Sequence, residues 1–390
     1  MQTLEQLLPD DGYRGALLAR VWNPLGAHAG PCVVAVREQG VFDVSERFPT
    51  VSDLMDQADP ASVLAATPGA RIASVEQVLA NTRADQQDFN SPFFLAPIDL
   101  QVIKAAGVTF ADSLLERVIE EHTKGDPKKA AATREQVQAV MGDGVHSVKP
   151  GSPQAAALKK VLQEKGWWSQ YLEVGIGPDV EVFTKAPVMA AVGTGQAVGI
   201  RRDSAWNNPE PEVVLVVNAQ ARVVGATLGN DVNLRDLEGR SALLLGKAKD
   251  NNASCALGPF IRLFDASFGL EDVRQMQVDL TVKGEDGFEL KGVNQMARIS
   301  RDPLEMVAQT VACHQYPDGF VLFMGTLFAP TQDRGEPGSG FTHKIGDVVR
   351  IRSSALGELC NVVNHSETAP PWRFGVRALM RNLAQRGLLH

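Results

Sequence analysis

Glu210 and Glu212 sit in the run Pro209-Glu210-Pro211-Glu212 and are followed by five apolar residues, Val213 to Val217. The apolar run reads as a buried strand entered through two prolines. Residues two apart in a strand point the same way, so both carboxylates share one face at the mouth of that strand. Like charges there repel unless a cation lies between them, and a hard divalent ion with oxygen ligands meets the need. The chain then turns over residues 218–222 and returns as Val223 to Leu228, a hairpin centred near Gln220. Reflection about that centre sets Asp231 beside Glu210, to within a residue or two. Three carboxylates without histidine or cysteine fit Mg²⁺, Mn²⁺ or Ca²⁺ better than zinc. The spacing is equally compatible with solvated glutamates at a strand start and an aspartate in a turn, because isolated Glu-x-Glu pairs are common.

A longer set of motifs favours the metal. Phe183-Thr184-Lys185-Ala186-Pro187, the Pro-Glu-Pro-Glu run, Asn230-Asp231-Val232-Asn233-Leu234-Arg235-Asp236, Lys249 followed by Ala253-Ser254-Cys255, Gly258-Pro259 and Gly325-Thr326 occur in that order. Together they cover about 180 to 365 and resemble the fumarylacetoacetate hydrolase family. The resemblance implies a Mg²⁺ or Mn²⁺ site built from Glu210, Glu212 and Asp231, and a small-molecule substrate held through a 2-oxo-carboxylate. It implies Lys185, Asp203 and Thr326 as substrate contacts, and Glu116, Lys249 and Ser113 as catalytic residues. It also implies the family's mixed, mainly β architecture: a β-roll with peripheral helices, a small N-terminal α+β domain, and a homodimer or dimer of dimers.

Within the family, the approach Arg202-Asp203-Ser204-Ala205-Trp206 looks most like the dehydratases that act on 2-keto-3-deoxy-aldonates. A departure from the hydrolases points the same way. Family hydrolases carry Asn-Tyr-x-x-His-x-x-Glu, whose histidine and glutamate activate water. The matching residues here run from Thr109 to Glu116, with Ser113 in place of the histidine. A serine hydroxyl is no base near neutral pH without help.

Composition narrows the function classes. With 390 residues, 44% hydrophobic and 22% charged, the chain can bury a large core and is expected to divide in two, residues 1–100 and 101–390. A net charge of -8 argues against nucleic acid and acidic membrane surfaces as partners. No stretch nears the ~20 apolar residues of a membrane span, and the first residues lack a basic leader, so a cytoplasmic location is expected. Cys32, Cys255, Cys313 and Cys360 are too far apart for a Cys-x-x-Cys motif and read as buried thiols. The seven histidines show no zinc spacing; His122 and His146 lie in polar surroundings.

The elements that must position these residues follow from periodicity. The first hundred residues alternate short apolar runs with Gly and Pro and carry helical stretches near 51–58 and 75–79. From Phe110 the spacing is helical: Phe110, Leu114, Leu115, Val118, Ile119 and His122 form one stripe, and Ser113, Glu116 and Glu120 share the opposite side. That side reads either as a solvated acidic face or, on the resemblance, as Ser113 and Glu116 facing the metal with Glu120 a bystander. Residues 110–182 form a helical lid or insertion, with two short helical patterns after 123. Its Trp167 and Trp168 either cover the site or anchor an interface. Residues 193–199, glycine-rich but without phosphate-loop spacing, read as a turn between strands. Later come short strands, a helix near 304–313, a glycine-rich crossing loop at 330–340 and a basic C-terminal helix over 372–389.

On these residues a 2-keto-3-deoxy-pentonate would chelate the metal, acidifying its C3 protons. Lys249 or Glu116 would remove one, with Asp203 and Asp236 in reserve. Loss of the C4 hydroxyl, aided by Glu116 or a water on Ser113, leads to 2,5-dioxopentanoate. Lys249 needs a depressed pKa or a purely electrostatic role, since free lysine is protonated at pH 7. The rival readings are an acylpyruvate or 2,4-dioxo-acid hydrolase of the same family, and a non-catalytic sugar-acid binder.

Overall fold

The computed structural model describes residues 2–24, 29–141, 145, 148–328, 330–335 and 340–389; His146 and residues 336–339 of the crossing loop lie outside them. Its centre is the strand Pro211–Val217, all seven residues buried. Val213, Leu215 and Val217 face one apolar core, while Val214 and Val216 face another. A strand covered on both sides must be apolar throughout, which is why this run carries no alternation. Its hairpin partner, Val223–Asp231, pairs Pro211 with Asn230 and Glu212 with Gly229, after a bulge at Val216/Val217. The Asp231 N–H donates to the Glu210 carbonyl at 3.1 Å, so the expected placement of Asp231 beside Glu210 holds.

The fold is mixed and sheet-rich, with the helices outside. The eleven-stranded sheet runs along an open path. Beside the central hairpin lie Cys255–Leu263 on one side and Phe320–Phe323 on the other, followed by Val102–Gly107 and Glu181–Ala186. Five strands from the first hundred residues belong to the same sheet, four along its path and Phe93–Phe94 beside Leu17–Asn23, because Leu17–Asn23 pairs antiparallel with Cys255–Leu263. A second sheet of five strands stacks Gln277–Lys283, Glu289–Gln295, Val348–Ser353, Gly357–His365 and Ala197–Ile200. A short ladder joins Asn207–Asn208 to Asn233–Leu234 next to the triad.

Four helices, Ala111–Thr123, Pro127–Met141, Pro153–Glu164 and Gln170–Ile176, form the expected helical segment around their own apolar cluster. Three of them follow residue 123 where two patterns were expected. Pro127–Met141 is rich in Ala, Lys and Gln and carries only a weak apolar stripe. Trp167 and Trp168 pack on this cluster, Trp167 against His122 with ring centroids 4.7 Å apart, and neither covers the site. Cys313 is exposed, contrary to expectation; the other three cysteines are buried, and all four are free. The C-terminal helix is shorter than read, Val376–Gln385.

Gly229 shows how closely the site rests on the core. It faces Glu212 across the hairpin, and a Cβ there would fall 2.2 Å from the Phe323 ring and 2.7 Å from Val214. Gly229→Ala should therefore cost about 1–3 kcal/mol of overpacking, read as a lower urea midpoint with an unchanged slope.

Candidate active site

The two strands deliver Glu210, Glu212 and Asp231, all at most 3% exposed, to one cavity, and one oxygen from each lies within 4.8 Å of the others. Glu212 accepts the Gly325 N–H at 2.6 Å. Gly325 has φ +87, and a Cβ there would meet Thr109 Oγ1 at 2.0 Å, so the turn that offers this donor requires glycine. Thr109 in turn donates to the Met324 carbonyl at 2.7 Å, tying the start of helix Ala111–Thr123 to the same turn. Thr326 lines the cavity, as expected, and its Oγ1 accepts the Phe328 N–H at 3.0 Å.

Charge is the dominant property of this cavity. Its lining carries five carboxylates, Glu181, Glu210, Glu212, Asp231 and Glu238, against two cations, Arg117 and Lys249. Burial, reinforced by Asp231 and Glu210, pushes the Glu212 carboxyl well above the ordinary carboxylate range. Burial works against the Asp231 carboxylate too, but Lys185 and Lys249 outweigh it and hold that group below its ordinary value. An all-oxygen donor set with surplus negative charge fits a hard divalent ion. Glu210, Glu212 and Asp231 are the residues that would hold it.

Lys249 reaches Glu210 Oε2 at 2.5 Å and Asp231 Oδ2 at 3.2 Å. Burial alone would lower its pKa; Asp231, Glu210 and Glu238 carry it above the ordinary value instead. The depressed pKa required of a lysine base is thus absent, and Lys249 is a fixed positive charge. Ser113 lines the cavity, its hydroxyl donating to the Phe110 carbonyl at 2.9 Å.

Three expected positions need correction. Glu116 does not line the triad cavity: Arg134 grips both its oxygens at 2.8 and 2.7 Å, and Arg235 adds a bond at 3.0 Å. Although burial opposes ionisation, these guanidinium groups keep its pKa below the ordinary value, so it is a structural anion and a poor base. Lys185 is fully buried beneath Asp231, 2.9 Å from Oδ1, and supports that ligand from behind. Asp203 faces solvent in a two-point pair with Arg201, away from the cavity. Asp236, the reserve base, accepts from Ser204 Oγ and the Ala205 N–H, both at 2.8 Å, and anchors that loop. Nor is Glu120 a bystander. It is 1% exposed and bonds Arg235 and Arg117, each at 2.7 Å.

Two residues that line the cavity escaped the sequence reading. Arg117 bonds Glu210 directly and Glu238 at 3.2 Å, linking the helix to the triad. Its spacing four after Ser113 would have placed it on the correct face. Glu181 comes from the strand paired with Val102–Gly107, where it lies opposite Gly107; a Cβ on that glycine would meet its Oε2 at 2.1 Å. It has no ion pair among the described residues. Burial and then Glu238 raise its carboxyl to about 7. No local sequence signal marks it, since the pairing with Gly107 is non-local.

Residues 161–364, just over half the chain, match the sequence profile described as fumarylacetoacetate (FAA) hydrolase C-terminal. The chain belongs to the fumarylacetoacetate hydrolase family. It is 31% identical over 183 residues to the 2-dehydro-3-deoxy-D-arabinonate dehydratase of Saccharolobus solfataricus, covering 47% of this chain and 58% of that one. It is 29% identical over 201 residues to a Haloferax volcanii protein named "Probable 2-keto-3-deoxyxylonate dehydratase", covering 52% of this chain and 66% of that one. The matched region thus spans less than two thirds of either relative. Among solved structures, 2-keto-3-deoxy-D-arabinonate dehydratase complexed with magnesium and 2,5-dioxopentanoate superposes with TM-score 0.62 at 21% identity, over 90% of this chain and 99% of that one. Its apo form gives the same values, and both share the fold of this family member.

If the triad binds a divalent ion, Glu212→Gln should weaken Mg²⁺ affinity beyond the roughly 10–100-fold that disturbing an outer-shell partner costs. Calorimetry reads that loss directly, and the thermal stabilisation that Mg²⁺ confers should disappear with it.

Proposed function

We propose that the chain is a hydro-lyase that dehydrates a 2-keto-3-deoxy-pentonate to 2,5-dioxopentanoate with Mg²⁺ or Mn²⁺. The observation that carries this reading is the Glu181 carboxyl, without an ion pair among the described residues, lining a cavity where Ser113 stands at the position of the hydrolytic histidine. Similarity to two dehydratases supports it.

Glu210, Glu212 and Asp231 would hold a divalent ion, which would supply electrophilic polarisation to a 2-oxo carboxylate and so make its C3 protons more acidic. Lys249, fixed as a cation, adds positive charge beside the developing enolate. Glu181 takes a proton from C3 and returns it to the departing C4 hydroxyl, so that one water leaves and a C3–C4 double bond forms. Movement of a proton from C5 to C3 then gives a C4–C5 enol, which takes a proton at C4 and loses its O–H proton to become the 5-aldehyde. Ser113 is committed as a donor to the helix backbone and Glu116 to two guanidinium groups, so neither activates water. Hydrolysis of an acylpyruvate therefore lacks the family's water-activating pair.

With Mg²⁺ and a panel of 2-keto-3-deoxy acids, an aldehyde should accumulate. Faster cleavage of acylpyruvates into two acids would overturn the dehydratase reading.

Glu181→Gln should lower kcat by on the order of 10²–10⁴ and abolish C3 proton exchange with deuterated water, leaving Mg²⁺ affinity within a few-fold. A base must be ionised, so the wild-type rate should rise with pH through the region near 7 set by Glu181. A variant with full activity or an unchanged acid limb would remove Glu181 from the mechanism.

A further inference from the structure

A second, smaller chamber opens beside the triad cavity and shares Ser113, Arg117, Glu210 and Thr326 with it. Its own walls include Glu116, Asn208, Arg235 and Phe328. Most of its polar groups are already satisfied. Glu116 accepts from Arg134 and Arg235, while Arg235 also donates to Glu120 and to the Pro330 carbonyl at 3.1 Å and lies 4.2 Å over the Trp206 ring.

Asn208 is the exception. It is 3% exposed, and its Nδ2 donates to the Pro209 carbonyl at 2.9 Å, which fixes the amide plane. Its Oδ1 is buried with no hydrogen-bond partner among the described residues. Buried acceptors are nearly always paired, so an unpartnered one on a residue that lines the chamber offers a place for a ligand donor. A hydroxyl suits the position because it donates to Asn208 without adding charge to a wall whose charges are already paired.

Resting on the dehydratase reading, we propose that this chamber holds the hydroxylated tail of the 2-oxo acid, with Asn208 Oδ1 accepting a hydrogen bond from the terminal hydroxyl. The carboxylate end lies at the triad, and the chain passes Thr326 and Ser113, the residues common to both spaces. On the far side Glu116, held by Arg134, and Phe328 separate the chamber from a wider cleft lined by Leu115, Ile119 and Val137. That wall limits tail length.

The test uses two ligands that cannot be dehydrated and differ only in the terminal hydroxyl, 5-hydroxy-2-oxopentanoate and 2-oxopentanoate. Both are titrated calorimetrically into the full-length, Mg²⁺-loaded protein. The wild type should bind the hydroxylated acid about tenfold more tightly, the equivalent of one hydrogen bond to an otherwise unpaired buried acceptor. In Asn208→Leu and Asn208→Ala that preference should fall below about twofold. Equal binding by the wild type, or a preference retained in either variant with a wild-type melting profile, overturns the subsite. Should both variants melt early, the wild-type pair of titrations decides alone. Failure of the wild type to bind either acid would sink the 2-oxo-acid reading as well, whereas equal binding sinks only the subsite.

Discussion

The structure depends on an excess of negative charge held out of water. Five carboxylates converge on one cavity between a central hairpin and a helix, and only two cations line it. Everything around that cavity manages the repulsion. Lys185 supports Asp231 from beneath, Lys249 bridges Glu210 and Asp231, and Arg117 ties Glu210 to Glu120 and Glu238. Buried ions are tolerated only when such partners are in place. Even so, burial together with Asp231 and Glu210 leaves the Glu212 carboxyl raised well above its ordinary range, a shift that a further cation beside it would oppose.

This constraint explains the central strand. It must be rigid enough to hold like charges at close range, and it gains that rigidity from burial between two cores. The cost of aligning the carboxylates is met by packing that a surface strand does not have. Gly229 and Gly325 mark where space is tightest, one admitting the Phe323 ring and the other presenting its N–H to Glu212.

The helix Ala111–Thr123 performs two tasks from one face. Arg117 completes the charge pattern of the triad, while Glu116 and Glu120 pair with Arg134 and Arg235 and so tie the helix Pro127–Met141 and the short helix Arg235–Glu238 to this one. With Ser113 in place of an imidazole, the face contributes electrostatics and shape but no water-activating base. On the proposed dehydratase reading, proton handling falls to a carboxyl on a different element, Glu181, whose surroundings rather than its type suit it to the task.

The sequence by itself determined the local features: the buried strand, the hairpin that sets Asp231 beside Glu210, the metal-ligand triad as a candidate, and the helix after Phe110. These follow from periods of two and 3.6 and from turn residues a few positions apart, which act over short stretches of chain. It also placed Ser113 and Thr326 at the cavity. Only the tertiary structure decided which charges meet. Glu116 turned toward Arg134 and Arg235, Lys185 went beneath its ligand, and Asp203 turned outward to Arg201. Glu120 and Arg117 became central, and Glu181 emerged through a glycine on a neighbouring strand. Each of these outcomes depends on pairings between distant parts of the chain or on competition among several partners for one ion, and the energy of a buried charge is set by that full surrounding and not by its neighbours in sequence.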